Sequence, residues 1–313
     1  MNELTVSFVI ATLNRCEELE ATLLELTKLS PAPTEIVVFL DGCTDGSEDM
    51  IRSHFPSVET IVSAESAGSI PARDTAFRHA KGDLIVSLDD DSFPVQRDFI
   101  DRLRRIAEQH PEAGAFAFHE IRPEGPRPHL SLSSEPVKAW IGAYPNCAGA
   151  IRKEIYGNIT RYPRFFSHAY AEPDFCLQVY NAGYGVLYVP QIQIFHRFTH
   201  TLRNMQSRHH KNARNEFWSV VMRCPFPHVI WVGAYRLSRQ VLYGASRGRA
   251  WLVEEPKWIV DAFRQIKIPI SERQPTSWPV YWRWLRLARG PIPGDRNNLA
   301  AAFPTVAARL SRS

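Results

Sequence analysis

Three consecutive aspartates, Asp89, Asp90 and Asp91, directly follow the apolar run Leu84–Leu88. Adjacent carboxylates repel one another and are costly to desolvate, so a strand end that carries three of them is expected to face a cation or solvent. Mg²⁺ and Mn²⁺ prefer oxygen ligands and leave positions open for phosphate oxygens. The run therefore predicts a metal-diphosphate site. The alternative is a solvated acidic turn that caps a helix over 96–109.

A parallel sheet would bring other polar residues to the same edge as these aspartates. Apolar, β-branched runs predict strands, and the amphipathic or capped segments between them predict helices. The predicted order is strand 5–11, helix 17–28, strand 35–40, helix 47–54, strand 58–63, helix 71–80 and strand 84–88. Such alternation is typical of a mostly parallel sheet with helices on both faces, in which ligands bind at the carboxyl ends of strands. Asn14 and Asp41 are therefore expected beside Asp89–Asp91.

The regular alternation ends after a predicted strand over 113–118. A Pro/Ser-rich loop over 122–136 follows, and a loop of this length is either functional or disordered. Order is expected to resume at Asn146, with a later helix over 173–182 and a strand over 186–189.

The last third of the chain has a different composition from the rest. Residues 1–196 contain 17 Lys and Arg against 27 Asp and Glu, whereas residues 197–313 contain 20 against 6. Seven of the eight tryptophans also lie in the basic part, which is predicted to be helical from about Arg203. We place a domain boundary near residue 200, so that a basic, Trp-rich helical region, 201–313, follows an α/β domain, 1–200.

Basic residues interleaved with tryptophan suit an anionic membrane surface or a nucleic acid. Arg283, Arg286 and Arg289 would share one part of a helix surface while Trp282 and Leu285 occupy other faces, which is an interfacial pattern. The alternative is that the tryptophans pack the region onto the α/β domain and the arginines are merely solvated. A nucleic-acid partner is disfavoured because no binding motif is recognised and the predicted sheet edge is acidic.

Several classes of protein are disfavoured by the composition. The five cysteines are an odd number, widely spaced and without a C-x-x-C pair, so neither a disulfide framework nor a zinc knuckle is indicated. No signal-type segment is evident, and no apolar run approaches the roughly 18 residues that would span a bilayer. We expect a cytoplasmic protein, either free or bound peripherally to the inner face of the cell membrane.

Short motifs then occur in a fixed order along residues 5–200. They are Asp41-Gly-Cys-Thr-Asp45, Ala72-Arg-Asp74, Lys81-Gly-Asp83, Asp89–Asp91, Gly149, Ala171-Glu-Pro-Asp174, Gly183-Tyr184, Val189-Pro190 and Phe195-His196. Together they resemble the family 2 glycosyltransferases with the GT-A fold. The resemblance implies a metal-dependent, inverting transfer of a hexose-type sugar from a nucleotide-diphosphate sugar to a glycan or lipid-linked acceptor, as in cell-envelope polysaccharide biosynthesis.

The resemblance also implies roles for individual residues. The implied donor-binding residues are Thr12, Asn14, Asp41, Arg73, Asp89 and Asp90. Asp41 matches the carboxylate that reads the nucleobase, although an Asx-type turn is its plainer role. The implied ligands for Mn²⁺ or Mg²⁺ are Asp89, Asp91 and His196, with Asp91 the more direct carboxylate ligand.

The catalytic base must be a carboxylate that accepts the proton of the acceptor hydroxyl. Glu172 occupies the position that the family usually assigns to the base, and Asp174 is the second candidate. Ala171 and Gln178 depart from the family pattern, which has an acid and an arginine there. Glu172 could alternatively be only a helix cap.

Two other functions stay open at this point. A sugar-phosphate nucleotidyltransferase uses a similar sheet, but it usually carries a glycine-rich basic loop where this chain has Ala11-Thr-Leu-Asn-Arg15. A non-catalytic nucleotide-sugar or membrane-binding module is suggested by the departures at Ala171 and Gln178. Turnover distinguishes such a module from an enzyme.

Overall fold

The structure is a computed structural model that describes residues 3–123, 125–126, 137–157, 160–198 and 204–312. Most of the predicted loop over 122–136 therefore lies outside the described residues.

The first part of the chain alternates strands and helices as the hydrophobic pattern predicts. Its elements are β1 (Val6–Thr12), α1 (Cys16–Leu26), β2 (Glu35–Asp41), α2 (Ser47–His54), β3 (Glu59–Ser63), α3 (Ser69–His79), β4 (Leu84–Leu88), β5 (Ser92–Pro94) and α4 (Phe99–Gln109). β4 is buried along its whole length, and β1 and β2 are buried over most of theirs. Continuous apolar runs of this kind are typical of strands covered on both faces.

The middle of the chain adds the second half of the sheet. Its elements are β6 (Ala113–Arg122), β7 (Gly125–Pro126), β8 (Ala139–Trp140), β9 (Gly149–Arg152), a short 3₁₀ helix (Arg164–Phe166), α5 (Ala171–Asn181) and β10 (Gly185–His196). β10 extends well beyond the predicted strand over 186–189, and a break in its register between Val189 and Gln193 lets it continue along β6. Its last residue, His196, is thereby paired with Ser92 of β5.

The sheet has the order β11-β8-β10-β6-β9-β4-β1-β2-β3, in which β11 is Ile292–Pro293. β4, β1, β2 and β3 are mutually parallel, and β6 and β10 are also parallel. β9 lies antiparallel between β4 and β6 and joins the two parallel groups. The prediction of a GT-A-type, mostly parallel sheet with helices is confirmed.

The C-terminal region is largely helical, as predicted. It contains α6 (Met205–Arg223), α7 (His228–Ser246), α8 (Arg249–Arg264), α9 (Lys267–Ser271), α10 (Trp278–Leu287), α11 (Arg296–Ala302) and α12 (Pro304–Leu310). This region returns to the sheet, because β11 pairs with β8, and Leu299, Phe303 and Val306 join the same hydrophobic core. The division at residue 200 stays a prediction, but the two parts share one core.

The tryptophans of this region divide between the two predicted roles. Trp218, Trp258 and Trp284 are buried, whereas Trp231 and Trp282 are 49% and 43% exposed. Some tryptophans therefore pack in the core, and others are available for surface contact. Within the described ranges, no helix combines the length and the apolar character needed to cross a membrane.

Candidate active site

The three aspartates after β4 point in different directions and meet different partners. Asp89 pairs with Arg73 of α3 and remains partly exposed. Asp90 and Asp91 are buried, and Arg15, just before α1, bridges them at 2.7 and 2.9 Å. Two arginines therefore neutralise much of the charge that three adjacent carboxylates concentrate at the strand end.

His196 lies against the same aspartates because β10 ends beside β5. Its Nε2 atom is 3.0 Å from Asp91 Oδ1 and 3.8 Å from Asp89 Oδ2. The facing atoms of His196 and Asp91 are buried, and neither makes a hydrogen bond in proper geometry. On the other side of the ring, Nδ1 is 2.8 Å from Glu120 Oε1. A carboxylate behind a histidine commonly fixes the ring so that its other nitrogen can bind a metal.

One metal-ligand set among the described residues meets a distance test, and it differs from the predicted set in one residue. Ligand atoms of Asp89, Cys147 and His196 all lie within 4.8 Å of one another. However, the Cys147 Sγ atom is 3.4 Å from Nδ1, on the side of the ring where Glu120 is bound. Burial raises the pKa of the Cys147 thiol to about 11, which disfavours the thiolate that binds metals. In the predicted set, Asp91 takes the place of Cys147 and faces the Nε2 atom of His196 at 3.0 Å, so Asp89, Asp91 and His196 remain a prediction.

The charge state of this cluster follows from its contacts. Burial disfavours a charged His196, but Asp91, Cys147 and Glu120 outweigh burial and raise the pKa of His196 to about 12. The same contacts with His196 and Arg15 overcome burial and hold the pKa of Asp91 well below its usual range. Burial raises the pKa of Asp90 to about 7, although Arg15 opposes that shift. A metal cation at the Nε2 atom would compete with a proton for that nitrogen.

A cleft of about 430 Å³ opens beside the cluster. Of the residues predicted for the site, those that line it are Arg73, Asp89, Asp90, Glu172 and His196. Arg122 and Arg208 also line it, and the Arg122 guanidinium stacks 3.7 Å from the ring centre of Phe198. The cleft thus combines a carboxylate-histidine corner with several cations, which is suitable chemistry for a metal-bound diphosphate.

Other predicted donor-binding residues lie at the same sheet edge but outside the lining of the cleft. The Thr12 hydroxyl donates to Asp90 at 2.7 Å, and the Asn14 side chain accepts from the Thr44 amide at 2.7 Å. Asp41 accepts from the Ser66 hydroxyl and from the amides of Ala67 and Gly68 at 2.8 to 3.0 Å. Thr12 and Asp41 therefore stabilise the loops around the cleft, and their donor-binding role remains a prediction.

The two candidate bases occupy different environments. Glu172 lies in the first turn of α5, one residue after the helix start, and lines the cleft. Burial raises its pKa, and the nearby Arg73 opposes that shift. Asp174 is fully buried and does not line the cleft, because Ser219 and Arg223 of α6 bind its carboxylate. The position of Glu172 favours it as the base.

The backbone before Glu172 is strained. Ser167, Ala169 and Tyr170 have φ angles of 56°, 69° and 65°, in the left-handed region that costs an ordinary residue roughly 1–2 kcal/mol. Gly68 packs so closely against this segment that a Cβ atom there would lie 2.8 Å from the Ser167 carbonyl oxygen. Such strain persists only where surrounding contacts enforce it.

Asn215 of α6 supplies those contacts. Its side-chain amide donates to the carbonyl oxygens of Phe166, His168 and Ala169 at 3.0, 2.8 and 2.9 Å. Asn215, Ser219 and Arg223 are spaced by four residues and share one face of α6. This polar stripe holds both the strained segment and Asp174, so it fixes Glu172 from either side.

The sequence interpretation missed this stripe. Its signal is the four-residue spacing of polar residues within the apolar part of α6. The composition places this helix in the basic, Trp-rich region, where such residues are expected to face solvent. Arg15 was also missed, although its position in the short loop between β1 and α1 places it at the predicted edge. Polar residues in a helix and an arginine in a loop are both common, so the sequence alone does not show the role of either without its partners.

Comparison with known proteins identifies the family of the first part of the chain, which holds Asp89–Asp91 but not Glu172 or His196. Residues 7–141 match the family described as Glycosyl transferase family 2. These residues form a family 2 glycosyltransferase domain. The predicted family and enzyme class are thereby confirmed, and the domain contains β1 to β8 with the aspartate cluster. No curated protein matches the chain.

Several solved glycosyltransferases share the fold. Residues 1–349 of TarS from S. aureus align with a TM-score of 0.61 at 13% identity, over 99% of this chain and 92% of that one. The mannosyltransferase PcManGT from Pyrobaculum calidifontis, in complex with GDP-Man and Mn²⁺, aligns with a TM-score of 0.57 at 17% identity, over 99% and 87%. GalNAc-T7, solved with UDP, GalNAc and Mn²⁺, gives 0.59 at 16% identity, over 72% of this chain and 49% of that one. At these identities the likeness shows the fold alone.

Proposed function

We propose that this protein transfers a sugar from a nucleotide-diphosphate sugar to an acceptor hydroxyl, with metal dependence and inversion. The observation that carries the proposal is the convergence of Asp89, His196, Arg73 and Glu172 on one cleft. The family 2 domain, GDP-Man in the PcManGT complex and UDP with GalNAc in the GalNAc-T7 complex support the same class of donor.

The donor diphosphate would lie between the aspartate cluster and the cations of the cleft. Asp89, Asp91 and His196 would hold Mn²⁺ or Mg²⁺, which when bound would neutralise the diphosphate and stabilise it as a leaving group. Arg73 lines the cleft and pairs with Asp89, so it can contact a phosphate oxygen without leaving that carboxylate. Arg208 adds a second cation on the α6 side.

Glu172 would act as the general base. As the acceptor oxygen forms its bond to the anomeric carbon, the hydroxyl proton passes to the Glu172 carboxylate. The bond from the anomeric carbon to the phosphate oxygen breaks, and the diphosphate leaves with the electron pair. Of the described carboxylates that line the cleft, Asp89 and Asp90 are already paired with arginines. That leaves Glu172 for one direct displacement, which inverts the configuration.

The proposal includes a glycan or lipid-linked acceptor, a role in cell-envelope polysaccharide synthesis and peripheral contact with an anionic membrane. Membrane contact is supported by exposed apolar residues on α7, among them Ile230, Trp231 and Leu242 at 65%, 49% and 67% exposure. Arg239 and Arg247 are also exposed on this part of the surface. Each basic residue near an anionic surface adds roughly 1 kcal/mol.

A nucleotide-sugar screen by thermal shift tests the function, because a ligand that binds only the folded state raises the melting temperature. We expect a UDP- or GDP-sugar to raise it with Mn²⁺ present and to raise it much less after chelation. Hydrolysis or transfer of the bound donor then distinguishes an enzyme from a non-catalytic module. A protein that ignores all nucleotide-sugars but releases pyrophosphate from a nucleoside triphosphate and a sugar phosphate would instead be a nucleotidyltransferase.

A further inference from the structure

We propose that a second cavity beside the catalytic cleft binds an uncharged, apolar aglycone of the acceptor. This aglycone cavity has a volume of about 420 Å³ and lies between the loop over 141–145, the start of α5 and helix α10. Its apolar lining includes Ile141, Trp284, Leu285 and Leu287. The inference rests on the proposed transferase function, because it assigns the acceptor of that reaction.

The aglycone cavity is continuous with the site of chemistry. Ala143, Tyr144, Pro145, Tyr170 and Pro173 line both it and the cleft. Pro173 directly follows Glu172, the proposed base. An acceptor that places its apolar group in this cavity can therefore extend its hydroxyl past the shared residues towards Glu172.

Tertiary contacts build the walls of the cavity. The indole of Trp284 donates to the Gly142 carbonyl oxygen at 2.9 Å, which fastens the loop over 141–145 to α10. The ring of Tyr144 packs on Gly149 so closely that a Cβ atom there would lie 2.5 Å from it. Trp284 and Leu287 are only 6% and 2% exposed. The cavity is therefore largely formed before any ligand arrives, as small-molecule sites usually are.

The charges that line the aglycone cavity determine whether it suits a charged or an uncharged ligand. Arg236 donates to Glu216 at 2.7 Å, and Gln240 donates to the same carboxylate, so this pair balances its own charge. The cleft, by contrast, offers Arg73 and Arg208 to an anion. A phosphate or carboxylate is therefore expected in the cleft, while an aromatic ring or a short alkyl group suits the aglycone cavity. Its volume lies in the range of about 300–1,000 Å³ that is typical of small-ligand sites.

Ala288 offers a way to fill the cavity without disturbing the core, because it lines the cavity and is exposed. Ala288→Trp places a large side chain there, and Ala301→Trp on α11 makes the same change at an exposed position that does not line the cavity. The probe is N-phenyl-1-naphthylamine, an uncharged dye that fluoresces in apolar surroundings. We expect octyl glucoside to displace the dye and methyl glucoside not to.

Ala288→Trp should weaken dye binding by about tenfold or more, whereas Ala301→Trp should bind as the parent does. Equal dye affinity in all three proteins, or equal competition by the two glucosides, would overturn the site. A melting temperature measured for each variant shows that it is folded.

A second measurement links the cavity to the reaction. With the donor that the nucleotide-sugar screen selects, phenyl and methyl glycosides of one sugar are compared as acceptors. We expect a higher kcat/KM for the phenyl glycoside in the parent and in Ala301→Trp, and loss of that preference in Ala288→Trp. A parent that binds no nucleotide-sugar contradicts the proposed function. A parent that binds and transfers the donor without a phenyl preference contradicts only the aglycone cavity.

Discussion

Arg223 of α6 donates two hydrogen bonds to the buried carboxylate of Asp174, from Nε at 3.2 Å and from Nη2 at 3.1 Å. Ser219 donates a third at 2.7 Å. These contacts secure the first turn of α5, and Glu172 lies two residues before Asp174 in that turn. The two acids of this short motif are therefore separated in role: Asp174 fixes the helix, and Glu172 is presented to the cleft.

Exchange of each acid for its amide tests this separation. Glu172→Gln keeps the shape of the side chain but removes the proton acceptor, so transfer should slow by about 10²–10⁴-fold with donor affinity and melting temperature retained. Asp174→Asn leaves Arg223 without its charged partner and should lower the free energy of unfolding by about 3–5 kcal/mol. Transfer rates and denaturant unfolding are measured for both. If Glu172→Gln retains near-normal transfer and Asp174→Asn is folded but inactive, Asp174 is the base and Glu172 is not.

Asn215 is expected to position Glu172 through the strained segment before it. Asn215→Ala removes one hydrogen-bond donor from three carbonyl oxygens, so kcat should fall while the affinity for the nucleotide-sugar is unchanged, and stability should fall by about 1–3 kcal/mol. Asn298→Ala, at an exposed position of α11, is the control. Kinetics are measured at a temperature where both variants are fully folded. A normal kcat in folded Asn215→Ala would limit Asn215 to a purely stabilising role.

The sheet could be predicted because its signals are local. Apolar runs such as Leu84–Leu88 mark buried strands, and turn residues such as Asp41-Gly42 mark their ends, so the parallel edge follows from neighbouring residues alone. The motif order then located Asp89, His196 and Glu172, and the structure brings all three to one cleft. The extent of β10 was underestimated, because the strand continues through Pro190 only by a break in register.

The contacts that shape the site could not be predicted because they are not local. Asp174 meets Ser219 across 45 positions, and Trp284 meets Gly142 across 142. The pattern of α6 shows a helix, but only the packed structure shows which of its polar residues turn inward. For the same reason, the aglycone cavity, formed by three separate segments, has no sequence signature.

The rate of transfer should depend on the protonation of Glu172. Burial raises the pKa of this carboxyl above the 4.5 of an ordinary glutamate, although Arg73 opposes the shift. A base works only when deprotonated, so kcat/KM should fall as pH falls through the raised pKa and be fully regained above it. The pH profile of kcat/KM is compared with that of donor binding. If kcat/KM falls only at or below pH 4.5, the titrating group is not Glu172. If donor binding falls over the same pH range and to the same extent, the loss also belongs to another group.

Metal binding should require Asp89 and His196 but not Cys147. His196→Ala and Asp89→Ala should each weaken Mn²⁺ binding at least tenfold, or about 1.4 kcal/mol. Cys147→Ser should retain it, because the thiol lies on the Nδ1 side of the ring. Mn²⁺ affinity is measured by electron paramagnetic resonance in the presence of a nucleoside diphosphate. If Cys147→Ser loses the metal while Asp91→Asn keeps it, the sulfur-containing ligand set is the right one.

The exposed stripe of α7 should carry membrane contact. Trp231, Tyr235, Arg239 and Leu242 follow helical spacing and are all exposed, on the side of α7 opposite the buried Gly233, Gln240 and Gly244. Leu242→Glu adds a charge to this stripe, and Leu24→Glu makes the same change at an exposed position of α1. Binding to phosphatidylglycerol vesicles should fall with rising salt, since exposed charges are screened over about 8 Å at physiological ionic strength. Leu242→Glu should weaken this binding and Leu24→Glu should not. Equal binding to neutral and anionic vesicles, or no difference between the two variants, would remove α7 as the contact surface.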